Sequence, residues 1–288
     1  MDVKEPLIED VSDTALWVAV YRAQETERPD ALFRDPLAGR LVGERGRKIA
    51  QGMRGMTAVG WSVVVRTCII DAYVRAAVAD GVDMVVNLGA GLDTRPYRME
   101  LPASLRWVEV DYPKIIHLKE ERLRGEVPVC QLERVALDLT QIEARRELFT
   151  RLAAESRTKA LVLTEGVVPY LSVDEAASLA RDLRAQERFR SWVVDYMSPL
   201  FHEVRRKNVR LQRSLQNAPF RFRPPDWEGF FREQGWGVRE IRYQIEEGFR
   251  LGRRPPSSPW SLLLYLLTPR RMKEQFRHMY GYALLEPR

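Results

Sequence analysis

The chain is poor in the residues that build disulfide frameworks and metal centres. Its 288 residues include two cysteines and three histidines. Cys68 and Cys130 are far apart and neither belongs to a CxxC pair, which argues against a stapled fold and the usual zinc spacings; no metal site is expected. Reduced thiols and the acidic opening MDVKEPLIEDVSD, which has no apolar core of a leader, give the expectation of a cytoplasmic protein. Long apolar runs are scarce too. PWSLLLYLLTP at 259–269 is the most apolar stretch and falls short of the roughly 20 residues that span a bilayer. A buried helix is expected there, and no membrane partner. Lysine supplies seven of the 46 basic residues, so the formal charge of +6 rests on arginine. The basic stretch with Arg205, Arg206, Lys207, Arg210 and Arg213 reads as a solvated helix face, with a lid that attracts an acidic substrate as the second reading. No aromatic platform interleaves with it, and no nucleic-acid partner is expected.

What is present is a large apolar fraction, 45% of the chain, enough for one α/β domain with a substantial core. Residues 1–80 read as a helical cap. Ser12, Asp13 and Thr14 suit a helix start, Leu16, Val20 and Ala23 keep helical spacing, and 61–79 is a long helix with Val65, Ile69, Tyr73 and Ala76 on one face. Glycines at 43, 46, 52, 55 and 60 predict an irregular stretch over 44–60. From 81 the rhythm changes. Strands at 83–89, 105–111, 129–137, 159–166 and 192–196 alternate with helices at 112–124, 141–154 and 173–186. This alternation predicts a mostly parallel, Rossmann-like sheet covered on both faces, and the runs MVV, ALVL and WVV suit strands buried on both sides. A helical insertion follows at 199–235, comprising a basic helix over 199–216, a turn-rich link at 220–225 and an amphipathic helix from 226. Late strands at 237–243 and 280–287 predict an antiparallel pair on the sheet edge, for seven strands in one structural domain.

The motif MVVNLGAGLDTRPYR, residues 84–98, is a strand running into a glycine turn. A tight turn there lets backbone approach a ligand, at the place where doubly wound sheets bind theirs. Asn87, Gly89, Ala90 and Gly91 are therefore candidate cofactor-binding residues. A dinucleotide fingerprint needs a third glycine at 94, which is Thr94, and Asp93 puts negative charge where a pyrophosphate would sit. The pattern favours a nucleoside cofactor without phosphates. Asp111 ends the second strand 20 residues after Gly91 and can accept both hydroxyls of a ribose; Glu109 shares its face, but the strand should end at Asp111, before Pro113. Asp138 can accept from an adenine amino group while Leu139 packs on the ring. Glu165 closes the fourth strand at the same rim, where a carboxylate can meet a cationic amino group.

NLGAGLDTRPYR, WVEVDYP, ALDL and LTEGVVPYLS, in this order, resemble the leucine carboxyl methyltransferase family, and most closely its bacterial branch, which includes polyketide carboxyl O-methyltransferases of the tetracenomycin type. The stretch SDTALWVAVYRAQE and the helix carrying Arg66, Thr67 and Asp71 are similar to the same branch. The resemblance implies a class I methyltransferase fold with S-adenosylmethionine as cofactor. It implies Gly89 against the methionine part, Asp111 on the ribose, Asp138 and Leu139 on the adenine, Glu165 near the amino-acid end, and Arg66 paired with the cofactor carboxylate. Arg22 corresponds more loosely to a basic residue of the lid.

The strand-end motifs hold no histidine; His117, His202 and His278 lie elsewhere. An ionised carboxylate needs no general base, whereas an alcohol or phenol usually does. Methylation of a small acidic acceptor at its carboxylate is therefore expected, with Tyr170 and Arg22 orienting it. A hydroxyl acceptor, and a cofactor-binding protein without turnover, are the alternatives. Acceptor contacts are expected from 12–60 and 199–260.

Overall fold

The computed structural model describes residues 11–52, 57–208, 217–256 and 267–288. Helices α1 (Val11–Thr26), α2 (Pro36–Gly52) and α3 (Thr57–Ala79) come first. Two expectations need correction. The helix already runs through Asp13 and Thr14, so these residues do not cap it. Residues 44–52 are helical rather than irregular, because Leu41, Val42 and Ile49 bury one face of α2; the glycine effect is confined to a kink at Gly43, with φ +59°. Most of the expected buried helix, residues 259–266, lies outside the described residues, as do Arg210, Arg213 and the Ser12 side chain. No described helix is long and apolar enough to cross a membrane.

The sheet then forms from β1 (Met84–Leu88), β2 (Arg106–Asp111), β3 (Gln131–Ala136), β4 (Ala160–Thr164), β5 (Phe189–Met197), β6 (Trp236–Tyr243) and β7 (Tyr280–Pro287). Their order is β3-β2-β1-β4-β5-β7-β6. The first five strands run parallel, and β7 runs antiparallel to both β5 and β6, as the late pair predicts. Between them lie α4 (Arg95–Arg98), α5 (Pro113–Arg122), α6 (Ile142–Glu155), a 3-10 turn (Val168–Tyr170), α7 (Val173–Arg184), α8 (Pro199–Lys207), α9 (Trp227–Glu233), α10 (Gln244–Arg250) and α11 (Arg270–Arg277). The helices α4, α10 and α11, each of eight residues or fewer, are additional to those expected from the sequence.

All five residues of β1 and of β4 are buried, because helices cover both faces. Alternation assigns the side chains. Val86, Leu88, Val108, Val110 and Val162 face α6 and α7, and an aromatic group of Trp192, Phe231 and Trp236 extends that core. Val85, Trp107, Leu161 and Leu163 face Val65, Ile69, Tyr73 and Val74 of α3. A third cluster packs α1 and α2 against Leu92 and Leu123, which docks the cap beside the glycine turn. β1 pairs with both β2 and β4, so the chain crosses over there and opens a crevice at the carboxyl ends of those strands.

Glu109 of β2 is fully buried and accepts from Lys119 Nζ at 2.6 Å and Arg134 Nε at 3.0 Å. This pins α5 to the sheet and gives Glu109 a structural occupation, consistent with the choice of Asp111 as the residue facing the crevice. Replacing Lys119 with Met should lower the unfolding free energy by about 3 kcal/mol, since one partner of a buried pair is removed while Arg134 remains. Urea denaturation of Lys119→Met and Glu109→Gln/Lys119→Met checks this: the double variant should recover part of the loss, and no recovery would mean that the cost lies in packing alone.

Candidate functional site

The crevice widens into a cavity of about 740 Å³. The glycine turn forms one wall, the cap helices a second, and α8 with the loop at 220 a third. Gly89 and Gly91 have φ of +64° and +49°. A Cβ at Gly89 would lie 2.4 Å from Val167 Cγ2, so both the backbone conformation and the approach of the β4 loop exclude a side chain there. The turn is held open by Asp111: Oδ2 accepts from Gly91 N at 2.6 Å and Oδ1 from Tyr112 N at 2.7 Å. Each oxygen retains capacity for a further donor. Burial raises the Asp111 pKa against these bonds.

Behind the turn lies a buried ion cluster. Arg95 Nε meets Asp71 Oδ1 at 2.7 Å, and its Nη1 meets Asp93 Oδ2 at 2.8 Å and Glu165 Oε2 at 2.9 Å. Arg98 makes a fork on Asp71, with bonds of 2.7 and 2.8 Å. Arg66 Nε lies 2.7 Å from Glu165 Oε1. Arg22 donates to Leu92 O at 2.6 Å and approaches Asp35 at 3.4 Å. Asp93 also accepts from Asn87 and from Arg95 N, and Thr94 donates to Asp35 at 2.7 Å. Four guanidiniums thus face four carboxylates. Glu165 is buried, which would raise its pKa, but Arg66 and then Arg95 outweigh that and hold it below the ordinary value.

The cavity wall includes Arg22, Arg66, Asn87, Gly89, Ala90, Gly91, Asp111, Leu139, Glu165 and Tyr170. Asp138 is the exception. It lies past β3 and its Oδ1 accepts from Thr140 N and Oγ1; Leu137, Leu139 and Thr140 form the wall instead. Tyr170 stands edge-on to Phe220 at 5.1 Å, and burial raises its pKa. Other functional candidates escaped the motif reading. Asp195 lies two residues before the end of β5, level with Glu165 in the pairing of β4 with β5, and a strand-end search widened by two residues could have found it. Its Oδ2 accepts from Gly166 N at 2.9 Å and its Oδ1 from Tyr280 Oη at 3.1 Å. Asp195 is not itself part of the cavity wall, which Tyr280, Phe201, Arg205 and Phe220 do line; of these four, only Arg205 is marked in the sequence, by the basic stretch it opens.

Asp195 has no guanidinium within ion-pair distance among the described residues, and burial raises its pKa to about 6. Its native pKa lies above the unfolded one, so this group favours folding at low pH and the contribution is lost as pH rises through about 6. The stability of the wild type relative to Asp195→Asn should therefore fall by about 2 kcal/mol between roughly pH 4 and pH 7. Parallel stability curves for the two proteins would show that Asp195 titrates normally.

The leucine carboxyl methyltransferase family model matches residues 15–184. A relative from Mycobacterium avium (strain 104), named "Putative S-adenosyl-L-methionine-dependent methyltransferase", is 31% identical over 270 residues, covering 85% of each chain. A relative of the same name from Mycobacteroides abscessus is 36% identical over 192 residues, covering 60% of this chain and 61% of its own. The chain spans about three-fifths of the length of the first curated relatives it matches. A solved protein from Thermobifida fusca YX, described as a putative methyltransferase, has a TM-score of 0.58 at 14% identity, covering 100% of this chain and 97% of its own. A DUF574-family protein from Streptomyces avermitilis has a TM-score of 0.56 at 16% identity, covering 94% of this chain and 97% of its own; both share the fold. With a family model over more than half its length and a relative matching along most of it, the chain belongs to the leucine carboxyl methyltransferase family.

Proposed function

We propose that the protein is an S-adenosylmethionine-dependent O-methyltransferase that esterifies a carboxylate of a small molecule. The observation that carries the cofactor is the glycine turn with Asp111 at its rim. Gly89 brings bare backbone to the cavity wall where the methionyl chain would lie, the free lone pairs of Asp111 suit a ribose diol, and Leu139 offers an apolar face to an adenine. Arg66 turns its Nε toward Glu165, and its other nitrogens have no partner among the described residues; they suit the cofactor carboxylate. A dinucleotide fits poorly. The N-terminus of α4, where a pyrophosphate would bind, is filled by Asp93 accepting from Arg95 N, and position 94 is a buried threonine.

The carboxylate acceptor is supported by the titration state of the wall. The phenols of Tyr170 and Tyr280 are pushed upward by burial and stay protonated. Glu165 is bound by two guanidiniums and is a weak base. These groups donate or neutralise; they are poorly suited to deprotonate an alcohol. An acceptor that arrives ionised needs only to be placed in line and shielded from water. When bound, the sulfonium cofactor supplies an electrophilic methyl group. Tyr170 orients the acceptor, and Arg22, fastened to Leu92 O, holds the cap over the turn.

Calorimetry with S-adenosylmethionine, its demethylated product and NAD tests this. The two sulfur compounds should bind, and Asp111→Ala should weaken the demethylated product by about tenfold or more. Tight NAD binding with no response to the sulfur compounds would overturn the reading. Tyr170→Phe should reduce turnover while leaving cofactor affinity unchanged. An alkali-labile methyl product identifies an ester; an alkali-stable one identifies the hydroxyl alternative.

A further inference from the structure

Five arginines line the cavity: Arg22, Arg66, Arg95, Arg205 and Arg221. Four are paired with carboxylates of the chain. Arg22 faces Asp35, Arg66 and Arg95 share Glu165, and Arg221 meets Glu175 at 3.2 Å. Among the described residues Arg205 pairs with no carboxylate. Its guanidinium lies on the face of Phe220, 3.7 Å from the ring centre. Stacking of this kind occupies the plane of the guanidinium and leaves its N–H fork available for a bidentate anion. Burial is the first of the influences that lower its pKa. Arg205 is half-buried, and a charge partly withdrawn from water without a counter-ion is relieved by an incoming anion.

The surroundings sharpen the choice of anion. Phe220 meets Tyr170 edge-on at 5.1 Å and lies near-parallel to Phe201 at 6.4 Å. Phe201 stacks on Tyr280 at 4.7 Å. Four rings from four different segments thus line one end of the cavity beside the free cation. His202 adds no charge there, because burial, Arg223 and Arg205 push its pKa down to about 4. Glu175, the acid of this wall, is engaged by Arg221 and by the cap of α7.

We propose that Arg205 is a specificity-determining residue of the acceptor end, where it takes the anionic group of an acceptor whose flat ring lies along Phe201, Phe220, Tyr170 and Tyr280. The proposal rests on the reading of this cavity as a methyl-transfer site. Its ligand class is a planar, ring-bearing acid, and a neutral or saturated analogue of the same size lacks one of the two recognised features.

The test is calorimetric titration of the full chain with 2-naphthoate, 2-naphthamide and decalin-2-carboxylate, each with and without S-adenosylhomocysteine. Wild type should bind 2-naphthoate about tenfold more tightly than 2-naphthamide, the size of effect expected for a charge-assisted fork. Arg205→Met should erase that preference, and Arg205→Lys, which keeps the charge but loses the fork, should retain part of it. Affinity for S-adenosylhomocysteine should be the same in all three proteins. Should Arg205→Met not fold, Arg205→Gln carries the same comparison. Equal binding of naphthoate and naphthamide to wild type, no binding of naphthoate, or a preference that survives in Arg205→Met overturns the role of Arg205. Decalin-2-carboxylate binding as tightly as naphthoate overturns the ring wall. Failure of S-adenosylhomocysteine to bind wild type defeats the methyltransferase reading, while the titrations without it still judge Arg205.

Discussion

The buried guanidinium of Arg95 is the constraint on which the site depends. It reaches Asp71 on α3, Asp93 in its own turn and Glu165 at the end of β4. Its neighbours in DTR extend the reach: Asp93 fixes Asn87 of β1, and Thr94 fixes Asp35 between α1 and α2. Three consecutive residues therefore tie the glycine turn to two strands, the long helix and the cap. A lysine could not substitute, because the fork presents several donors in fixed directions and holds three carboxylates at once. The cost of burying this charge is offset only because every partner is present. The cluster is consequently a specificity device for one arrangement of the turn, rather than a simple source of stability.

Charge balance explains where reactive capacity is left over. With four guanidiniums against four carboxylates, the cluster is electrically closed. Groups just outside it are not compensated in the same way. Asp195 leans on Gly166 N and a tyrosine hydroxyl, and its proton is held to about pH 6. Arg205 leans on an aromatic face. One lies behind the β4 loop and one at the far end of the cavity. Low local dielectric makes each uncompensated charge count for more than a solvated one. The inner charges are thus closed among themselves, and among the described residues the cation at the far end of the cavity has no carboxylate partner.

The parts legible in the sequence were those governed by local rules. Buried parallel strands announce themselves as apolar runs, and all seven strands lie where pattern and turn signals put them, because the β-run and the glycine turn are both short-range features. The strand-end rule brought Asp111 and Glu165 to one wall. Asp138 falls outside that wall, with one carboxylate oxygen turned back onto Thr140. Widened by two residues, the rule would have found Asp195 on β5. The glycines of 44–52 misled for a different reason. Their propensity is unfavourable in a helix by about 1 kcal/mol each, but burial of Leu41, Val42 and Ile49 outweighs it. The distant partners of Arg95 were invisible because Asp71 and Glu165 are remote in sequence and meet it only after folding.

The same distinction bears on the acceptor. The family model ends at residue 184, and within its span lie the turn, Asp111, Leu139, Glu165 and the whole ion cluster. Phe201, Arg205, Phe220 and Tyr280 all lie beyond it. Their mutual contacts are aromatic and cationic, drawn from α8, a loop and the start of β7, and only Tyr280 stands in the sheet register, opposite Met197. The turn and the strand ends of the proposed cofactor site are thus anchored in the sheet and a closed charge cluster, where one altered residue unsettles several partners. The wall opposite rests on ring packing, which tolerates substitution of one flat side chain by another at modest cost. On the proposed function, the acceptor is therefore read from the residues of that wall, which the matched span of the family does not include.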